Sequence, residues 1–593
     1  MAITIQLKQA ASKALAALYQ FEYAPENILI NQTKPEFEGD YTIVLFSFVK
    51  QLKKSPDTLG EEMGAWLTAN ESGIVTRYNV IKGFLNLSIA DSYWTHFLQQ
   101  EYANAAFGHQ PSNGQKVMIE YSSPNTNKPL HLGHLRNNFL GWSVAEIFKA
   151  NGYAIVKSCI INDRGIHICK SMIAWQMFAN GATPLSTGLK GDHFVGEYYV
   201  KFNDEYKKQV QDLTGSGMNK ENAEKEAPIM KATQQMLLDW EAGKPDVMQL
   251  WKEMNGWVYQ GFDITYKRIG SDFDKAYYES NTYLLGKEAV RVGLEKNVFF
   301  KKEDGSLWID LTEDGLDEKL VMRKDGTSVY ITQDIGLAMQ KYEEFGMDKS
   351  IYVIGDEQNY HMKVLQLICK KIGLAYAGGI YHLSYGMVEL PTGRMKSREG
   401  NVVDADDLVD EMEHVAQQKT EELGKVKDFE DHELKQLYTT LGLGALKFYL
   451  LRVEPKKKMI FNPEESIDFH GFTGPFIQYT HARIRSVLRK LGSIIPALPT
   501  EVAVLFKLEK ELIVSIEQYP SVIGQACIEM NPSLIAIYVF NLAKTFNSFY
   551  SEHSIANAEN EEKKQLRLMI SQMTANIISN GMQLLGIAVP ERM

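Results

Sequence analysis

The sequence predicts an α/β protein of several domains: a parallel-sheet core split by a helical insertion, with an appended N-terminal α/β domain and an all-α bundle at the C-terminal end. Three observations carry this. A strand–helix–strand alternation runs through KVMIEY from Lys116, a helix from His131 to Asn151 and IVKSCII, and it resumes at IYVIG from Ile351 and IYHLSYGMV from Ile380. Between these runs, from about Trp175 to Asp263, the chain is charged, Gln-rich and helical in pattern, as in NKENAEKEAPIMKATQQMLLDW. After about Asp406 strand-like runs vanish, and apolar residues recur at helical spacing, as in VAVLFKLEKELIVSIEQY from Val502.

Taken in order, residues 1–110 form the first domain. Leu7, Ala11, Leu15 and Leu18 recur on one face of an opening helix. GDYTIVLF around Gly39 is strand-like, KQLKKS from Lys50 is a basic patch, and the turn-rich FGHQPSNGQ from Phe107 closes the unit. The core occupies 111–405, with its insertion at about 175–263. Met236, Leu237, Leu238, Trp240, Met248, Leu250 and Trp251 are too apolar for that insertion to be a disordered linker. The helical bundle fills 406–593.

A chain of 593 residues, 45% apolar and 23% charged, can build several cores. Sixty-three basic against 74 acidic residues leave a net charge of −11, which excludes indiscriminate coating of nucleic acid or anionic membrane and confines any polyanion to local basic patches. Cys159, Cys169, Cys369 and Cys527 form no CxxC pair, so no zinc-building cysteine set and no disulfide framework are expected. No apolar run approaches the roughly 20 residues that span a bilayer, and a cytoplasmic protein without membrane contact is expected.

The densest chemistry lies in EYSSPNTNKPLHLGHLR, Glu120 to Arg136. A strand enters a turn set by Pro124, Asn125 and Pro129, and a helix starts near His131, so free helix-terminal N–H groups should face a phosphate. His131 and His134 stand three apart, Gly133 removes bulk between them, and Lys128 adds a cation suited to charge growing on a phosphate. By itself the pattern also fits a helix cap with solvated histidines, a zinc pair, or a Ser–His hydrolase using Ser122 or Ser123.

HLGH after a strand resembles the HIGH signature of class I aminoacyl-tRNA synthetases, and the whole phrase EYSSPNTNKPLHLGHLRN resembles its arginyl-tRNA synthetase version. GRMKSREGNVV from Gly393 is similar to the KMSKS loop of that class, with Met395, Lys396, Ser397 and Arg398 in the corresponding region and Arg394 where the first lysine would be. GALKFYLL from Gly444 resembles the DALR motif of the anticodon-binding domain, Gly444 and Lys447 replacing its first and last residues. The resemblance implies a Rossmann-like catalytic domain. Its expected activity is ATP-dependent ligation of L-arginine to tRNA through an adenylate, with Mg²⁺ accompanying ATP, no bound zinc, and a monomeric enzyme.

On that resemblance His131, Gly133, His134, Met395, Lys396 and Ser397 would bind ATP, and Lys128, His131, His134, Lys396 and Arg398 would be catalytic. Tyr330 and Asp334, four apart in SVYITQDIG, would hold the guanidinium; Gln358 would line the same pocket; Glu120, Ser123 and Asn125 would hold the ammonium and carboxylate. A planar five-donor guanidinium calls for such acidic and neutral acceptors. Tyr479, Arg483 and Arg485 in GPFIQYTHARIRSVLRK pair aromatic faces with cations suited to RNA. Clusters at Lys50, Lys53 and Lys54 and at Lys456, Lys457 and Lys458 are further patches. Another class I synthetase, or a non-catalytic tRNA-binding paralogue, remain the alternatives; the missing cysteine sets and editing domain disfavour the first, and intact HLGH and MKSR the second.

Overall fold

The computed structural model describes every residue except 1–2, 35, 283–284, 328, 390, 392–402, 423, 425–428 and 492–503. Its centre is a five-stranded, all-parallel sheet in the order Ile380–Tyr385, Lys349–Gly355, Lys116–Glu120, Ala154–Ile161, Lys275–Tyr278. Lys116–Glu120 is central, and its Val117, Met118 and Ile119 are fully buried, as expected of a strand covered on both faces. Helix Leu132–Ala150 follows it. Gly141 lets that helix approach closely, because a Cβ there would stand 2.4 Å from the Tyr121 side chain.

Helices Ile166–Phe178, Gly191–Gly215, Pro228–Glu241 and Pro245–Ile269 form the body of the insertion between strands Ala154–Ile161 and Lys275–Tyr278. Aromatic edges cement it: Trp257 meets Trp175 and Phe194 at centroid distances of 6.0 and 5.5 Å. Of the apolar residues singled out in its sequence, Met236, Trp240 and Leu250 are buried, while Leu238 is exposed.

A second small sheet was not expected. Phe299–Lys301, Leu307–Ile309 and Lys319–Met322 pair antiparallel and bury Phe299, Ile309 and Val321 against helix Gly286–Glu295. Strands of three or four residues are too short to show an alternation of period two.

At the N-terminal end an antiparallel sheet in the order Ile30–Gln32, Tyr41–Val44, Phe84–Ile89, Val75–Ile81 carries helix Pro56–Asn70, against which helix Ile3–Tyr19 packs. Leu7, Ala11 and Leu15 are buried as the spacing predicts, but Leu18 is exposed and Ala14 takes the inward place. Beyond Ala405 the described chain is helical, with one exception: Met459–Ile460 pairs in parallel with Val388–Glu389. The expectation of no strand after Asp406 is corrected by this two-residue splice, which ties the bundle to the chain leaving the core sheet.

Further ties cross the same seam. Arg136, on the first helix of the core, donates to the carbonyls of Pro455 and Lys457 at 3.0 and 2.7 Å. Ser143 donates to Leu584 O at 2.7 Å, and within the bundle Lys447 donates to Gly586 O at 2.6 Å. The N-terminal domain docks on the bundle through Lys510–Asp40 at 2.9 Å. All four cysteines are buried thiols. Among the described residues no helix is long and apolar enough to cross a membrane.

Candidate active site

The turn between strand Lys116–Glu120 and helix Leu132–Ala150 is strained and tied down. Ser122 and Ser123 both adopt left-handed backbone conformations, φ 80° and 45°, which non-glycine residues avoid unless their surroundings hold them. Asn137 Oδ1 accepts from Ser122 N at 2.5 Å, and Ser122 Oγ lies 2.6 Å from the Tyr266 hydroxyl and 3.2 Å from Asn138 Nδ2. Ser122 is therefore buried and spoken for, which removes the hydrolase nucleophile reading at that position.

His131 is the N-cap of the helix, and the two histidines close a reciprocal capping box. His131 Nδ1 accepts from Gly133 N at 3.1 Å, and His134 Nδ1 accepts from His131 N at 3.1 Å. With both Nδ1 atoms accepting, the network assigns the proton of each neutral ring to Nε2. Neutral rings are what the surroundings favour. Burial, then the Lys128 charge, lower the His131 pKa to about 4 against the pull of Asp404; burial, His131 and Lys128 push His134 well below its usual value. The rings lie 3.9 Å apart between centroids.

The expected free N–H groups at this helix start are not there. His131 N and Gly133 N serve the capping box, Leu132 N donates to Val403 O at 3.1 Å and His134 N to His131 O at 2.7 Å. The turn thus offers an anion imidazole Nε2–H donors and the Lys128 ammonium rather than backbone. Over Gly133 a Cβ would meet only the His131 ring within 4 Å, so the glycine leaves room for a flat ligand.

A second feature lies at the carboxyl ends of the parallel strands, where this architecture places its crevices. A cavity of about 940 Å³ is lined by Asn125, Asn162, Arg164, Glu279, Tyr330 and Asp334 among others. Tyr330 and Asp334 share the first turns of helix Tyr330–Phe345, and Tyr330 is 75% exposed. Asp334 Oδ2 lies 2.6 Å from His361 Nε2, and that carboxylate raises the His361 pKa against burial. Asp163 anchors one wall, accepting from Ser280 N and Oγ and from Tyr259 at 2.7–2.8 Å.

The structure brings together Asn125, Tyr330 and Asp334 of the residues predicted to hold arginine. Gln358 stands apart from the lining, exposed at the N-cap of helix Asn359–Ile372, which carries His361. Glu120 is buried and forms an ion pair with the fully buried Lys341, whose ammonium also sits 4.6 Å from the Tyr352 ring centre; Glu120 does not line the cavity. Ser123 is half-buried, its carbonyl 3.4 Å from Asn162 Nδ2. Met395, Lys396, Ser397 and Arg398 lie outside the described residues, although the flanks are fixed: Val388–Glu389 by the parallel splice and Val403 by its bond to Leu132.

Sequence reasoning missed Glu279. Its carboxyl pKa is raised by burial, opposed by Arg164 and reinforced by Asp163 and Asp334, so two carboxylates face a common space that a cation would relieve. The signal existed: Glu279 directly follows the strand Lys275–Tyr278, at the edge that forms the crevice.

In the bundle, Arg483 stacks on the Tyr479 ring at 4.8 Å and donates to Asn547 at 2.5 Å. Arg485 Nε is 2.8 Å from a Glu591 carboxylate oxygen, and Arg489 donates to Glu591 O at 2.7 Å.

A strand-edge crevice beside an imidazole-capped helix start is the core of a class I aminoacyl-tRNA synthetase, and the pattern described as "tRNA synthetases class I (R), catalytic domain" matches residues 97–462. Flanking it, "Arginyl tRNA synthetase N terminal domain" matches 5–89 and "DALR anticodon binding domain" matches 477–593. The chain belongs to the arginine–tRNA ligase family. Proteins called arginine–tRNA ligase from Amoebophilus asiaticus and Flavobacterium psychrophilum are 51% and 54% identical to it, covering 100% and 97% of this chain and 100% and 98% of their own. In fold it is similar to the Thermus thermophilus arginyl-tRNA synthetase, TM-score 0.80 at 23% identity with both chains fully covered.

Proposed function

We propose that this protein activates L-arginine with ATP and transfers it to its tRNA. The observation that carries the specificity is the pair Asp334 and Glu279 in one strand-edge crevice with Tyr330 and Asn125. A guanidinium between two carboxylates forms charge-assisted, forked hydrogen bonds and removes their mutual repulsion. His361 holds Asp334 at a fixed angle. Asn125, at the strand end nearer the catalytic turn, would orient the amino-acid backbone; with Glu120 neutralised by Lys341, the ammonium contact falls to Asn125 and Ser123.

In adenylation the arginine carboxylate attacks the ATP α-phosphorus and pyrophosphate leaves. His131 and His134 would donate Nε2–H bonds to phosphate oxygens, and Lys128 would meet the charge that develops. Because both Nδ1 atoms are locked by the capping box, the donors are preorganised and need no reorientation during reaction. Lys396 and Arg398 remain proposed partners of the pyrophosphate side.

Mg²⁺ would supply charge neutralisation as the counter-ion of ATP. Among the described residues the one group of three close metal-ligating side chains is Asp192, His193 and Asp406; the Lys190 ammonium already stands against both of its carboxylates, at 3.0 and 2.5 Å, so the donor set does not fit a resident metal. In the transfer step the terminal ribose 2′-hydroxyl attacks the adenylate carbonyl, the acyl–phosphate bond breaks and AMP leaves with the hydroxyl proton lost, the tRNA being gripped in part by Tyr479, Arg483 and Arg485.

ATP–pyrophosphate exchange with each of the twenty amino acids, with and without tRNA, tests the reading. Exchange with arginine is expected; exchange with a different amino acid rejects the specificity, and none at all marks a tRNA-binding protein instead.

A further inference from the structure

An ionic cluster that the mechanism above does not use lies behind the catalytic turn. Lys190 Nζ stands 2.5 Å from Asp406 Oδ2, 3.0 Å from Asp192 Oδ2 and 2.6 Å from Thr265 Oγ1. His193 Nε2 lies 3.3 Å from carboxylate oxygens of both Asp404 and Asp406. Three distant stretches meet here: the start of helix Gly191–Gly215, the end of helix Pro245–Ile269, and the residues that enter helix Ala405–Glu422.

Asp404 connects this cluster to the chemistry. His131 and Asp404 pair antiparallel, Leu132 N donates to Val403 O at 3.1 Å, and Ala405 N donates to Leu130 O at 3.0 Å. Residues 403–405 therefore form a rail along the backbone that carries the His131 ring. His193, Asp404, Lys128 and His131 also line one cleft of about 380 Å³, together with Glu197 and Tyr199 of the same helix as His193.

The charges explain why a histidine is needed. Asp192, Asp404 and Asp406 are three carboxylates against the Lys190 ammonium; Arg268 reaches only the Asp406 carbonyl, at 3.3 Å, while pairing with Asp410 and Glu413. Asp404 Oδ1 already caps the following helix, accepting from Asp406 N and Asp407 N at 2.7 and 3.3 Å; what His193 adds is a cationic partner for Oδ2, the oxygen otherwise left beside the like-charged Asp406 carboxylate. The two aspartates supply that cation by raising the His193 pKa to about 10 against burial. Asp406 is in turn affected: burial alone would raise its carboxyl, but His193 and Lys190 hold it below its usual range.

We propose that His193 is a positioning residue for adenylate formation: by bridging Asp404 and Asp406 it fixes the 403–405 rail and, through it, the place of the His131 ring relative to Lys128. This rests on the function proposed above.

The test is His193→Gln, with Asp404→Asn and the double variant. In His193→Gln the kcat of arginine-dependent pyrophosphate exchange should fall about tenfold, the order of loss expected from a small misplacement of a reacting group. Arginine KM should stay within twofold, since the crevice is untouched. Hydrogen exchange at the amides of Leu132 and Ala405 should accelerate. Asp404→Asn should reproduce most of the kcat loss, and the double variant should be no worse than the more impaired single one. His193→Lys, which keeps a cation, should recover part of the activity. A kcat within twofold of wild type, an arginine KM rising as much as kcat falls, or strictly additive losses each overturn the proposal. If the wild-type protein exchanges no pyrophosphate with arginine, the parent reading fails, and unchanged amide protection in His193→Gln would separately overturn the rail.

Discussion

The turn at Glu120 to Arg136 and the helix Gly474–Leu491 both carry clustered polar and charged groups, yet they treat them in opposite ways. At the turn the groups are buried or half-buried and internally bonded: Glu120 with Lys341, His131 with His134, Ser122 with Asn137, Asn138 and Tyr266. On the helix, Arg485 and Arg489 lean on Glu591, itself 62% exposed as a side chain. Buried pairs fix geometry, because losing a partner strands a desolvated charge. Exposed pairs exchange readily, because water and salt compete for them. One region is built to hold an arrangement still and the other to trade partners, as the tRNA contact proposed for it would require.

Seven substitutions, one of them read through a pH series, sharpen the contrast. Lys341→Met should be the most damaging, costing about 3–5 kcal/mol by leaving Glu120 buried and unpaired; chemical denaturation measures it, and a midpoint like that of the wild type would contradict the picture of a locked turn. His134→Ala removes a preorganised donor and the cap to His131 N, so exchange kcat should fall about 10²–10³-fold while tRNA affinity is kept. An unchanged kcat would take the residue out of the site.

The pH series comes next. Because the folded His131 pKa is depressed to about 4 from 6.5, the unfolded chain binds the proton first. Its stabilising effect is complete above pH 6.5 and is lost as pH falls toward 4, up to about 3 kcal/mol. His131→Asn, which can still cap the helix, should flatten that part of the stability profile. Asp334→Asn should raise arginine KM by an amount equivalent to about 2 kcal/mol with a smaller change in kcat; an equal effect on the ATP KM would dissociate Asp334 from the guanidinium. Smallest of all, Glu591→Gln should alter stability by under about 1 kcal/mol yet tighten tRNA binding at low salt, the reverse of the loss expected for the paired substitutions Arg483→Gln and Arg485→Gln.

The strand–turn–helix geometry proposed to carry the chemistry was legible because its residues lie within one contiguous phrase, bounded by strand and helix patterns. The crevice was legible only in part. Tyr330 and Asp334 share one helical turn and can be paired from spacing, but Glu279 reaches them through the tertiary packing of a four-residue strand that no periodicity announces. Gln358, joined to them in the sequence reading, stands outside the cavity. The role of Lys128 could be read as a point charge; that it helps keep the histidines neutral depends on burial, which sequence does not display. Nor does it display the left-handed Ser122 and Ser123, whose residue types give no hint of positive φ, or the capture of the helix-terminal N–H groups by the histidine capping box and Val403 O.

The position of strand Lys116–Glu120 has a consequence for biogenesis. One neighbour, Ala154–Ile161, is made within a few dozen residues of it, whereas the other, Lys349–Gly355, follows some 230 residues later. During synthesis an apolar strand edge with unpaired backbone groups must therefore wait until the whole insertion and the small second sheet have emerged. Such late, non-local pairing slows folding and leaves the nascent chain open to misassociation. Holdase chaperones should accordingly engage ribosome-bound chains that end between about residues 165 and 350, and let go once the missing neighbour arrives.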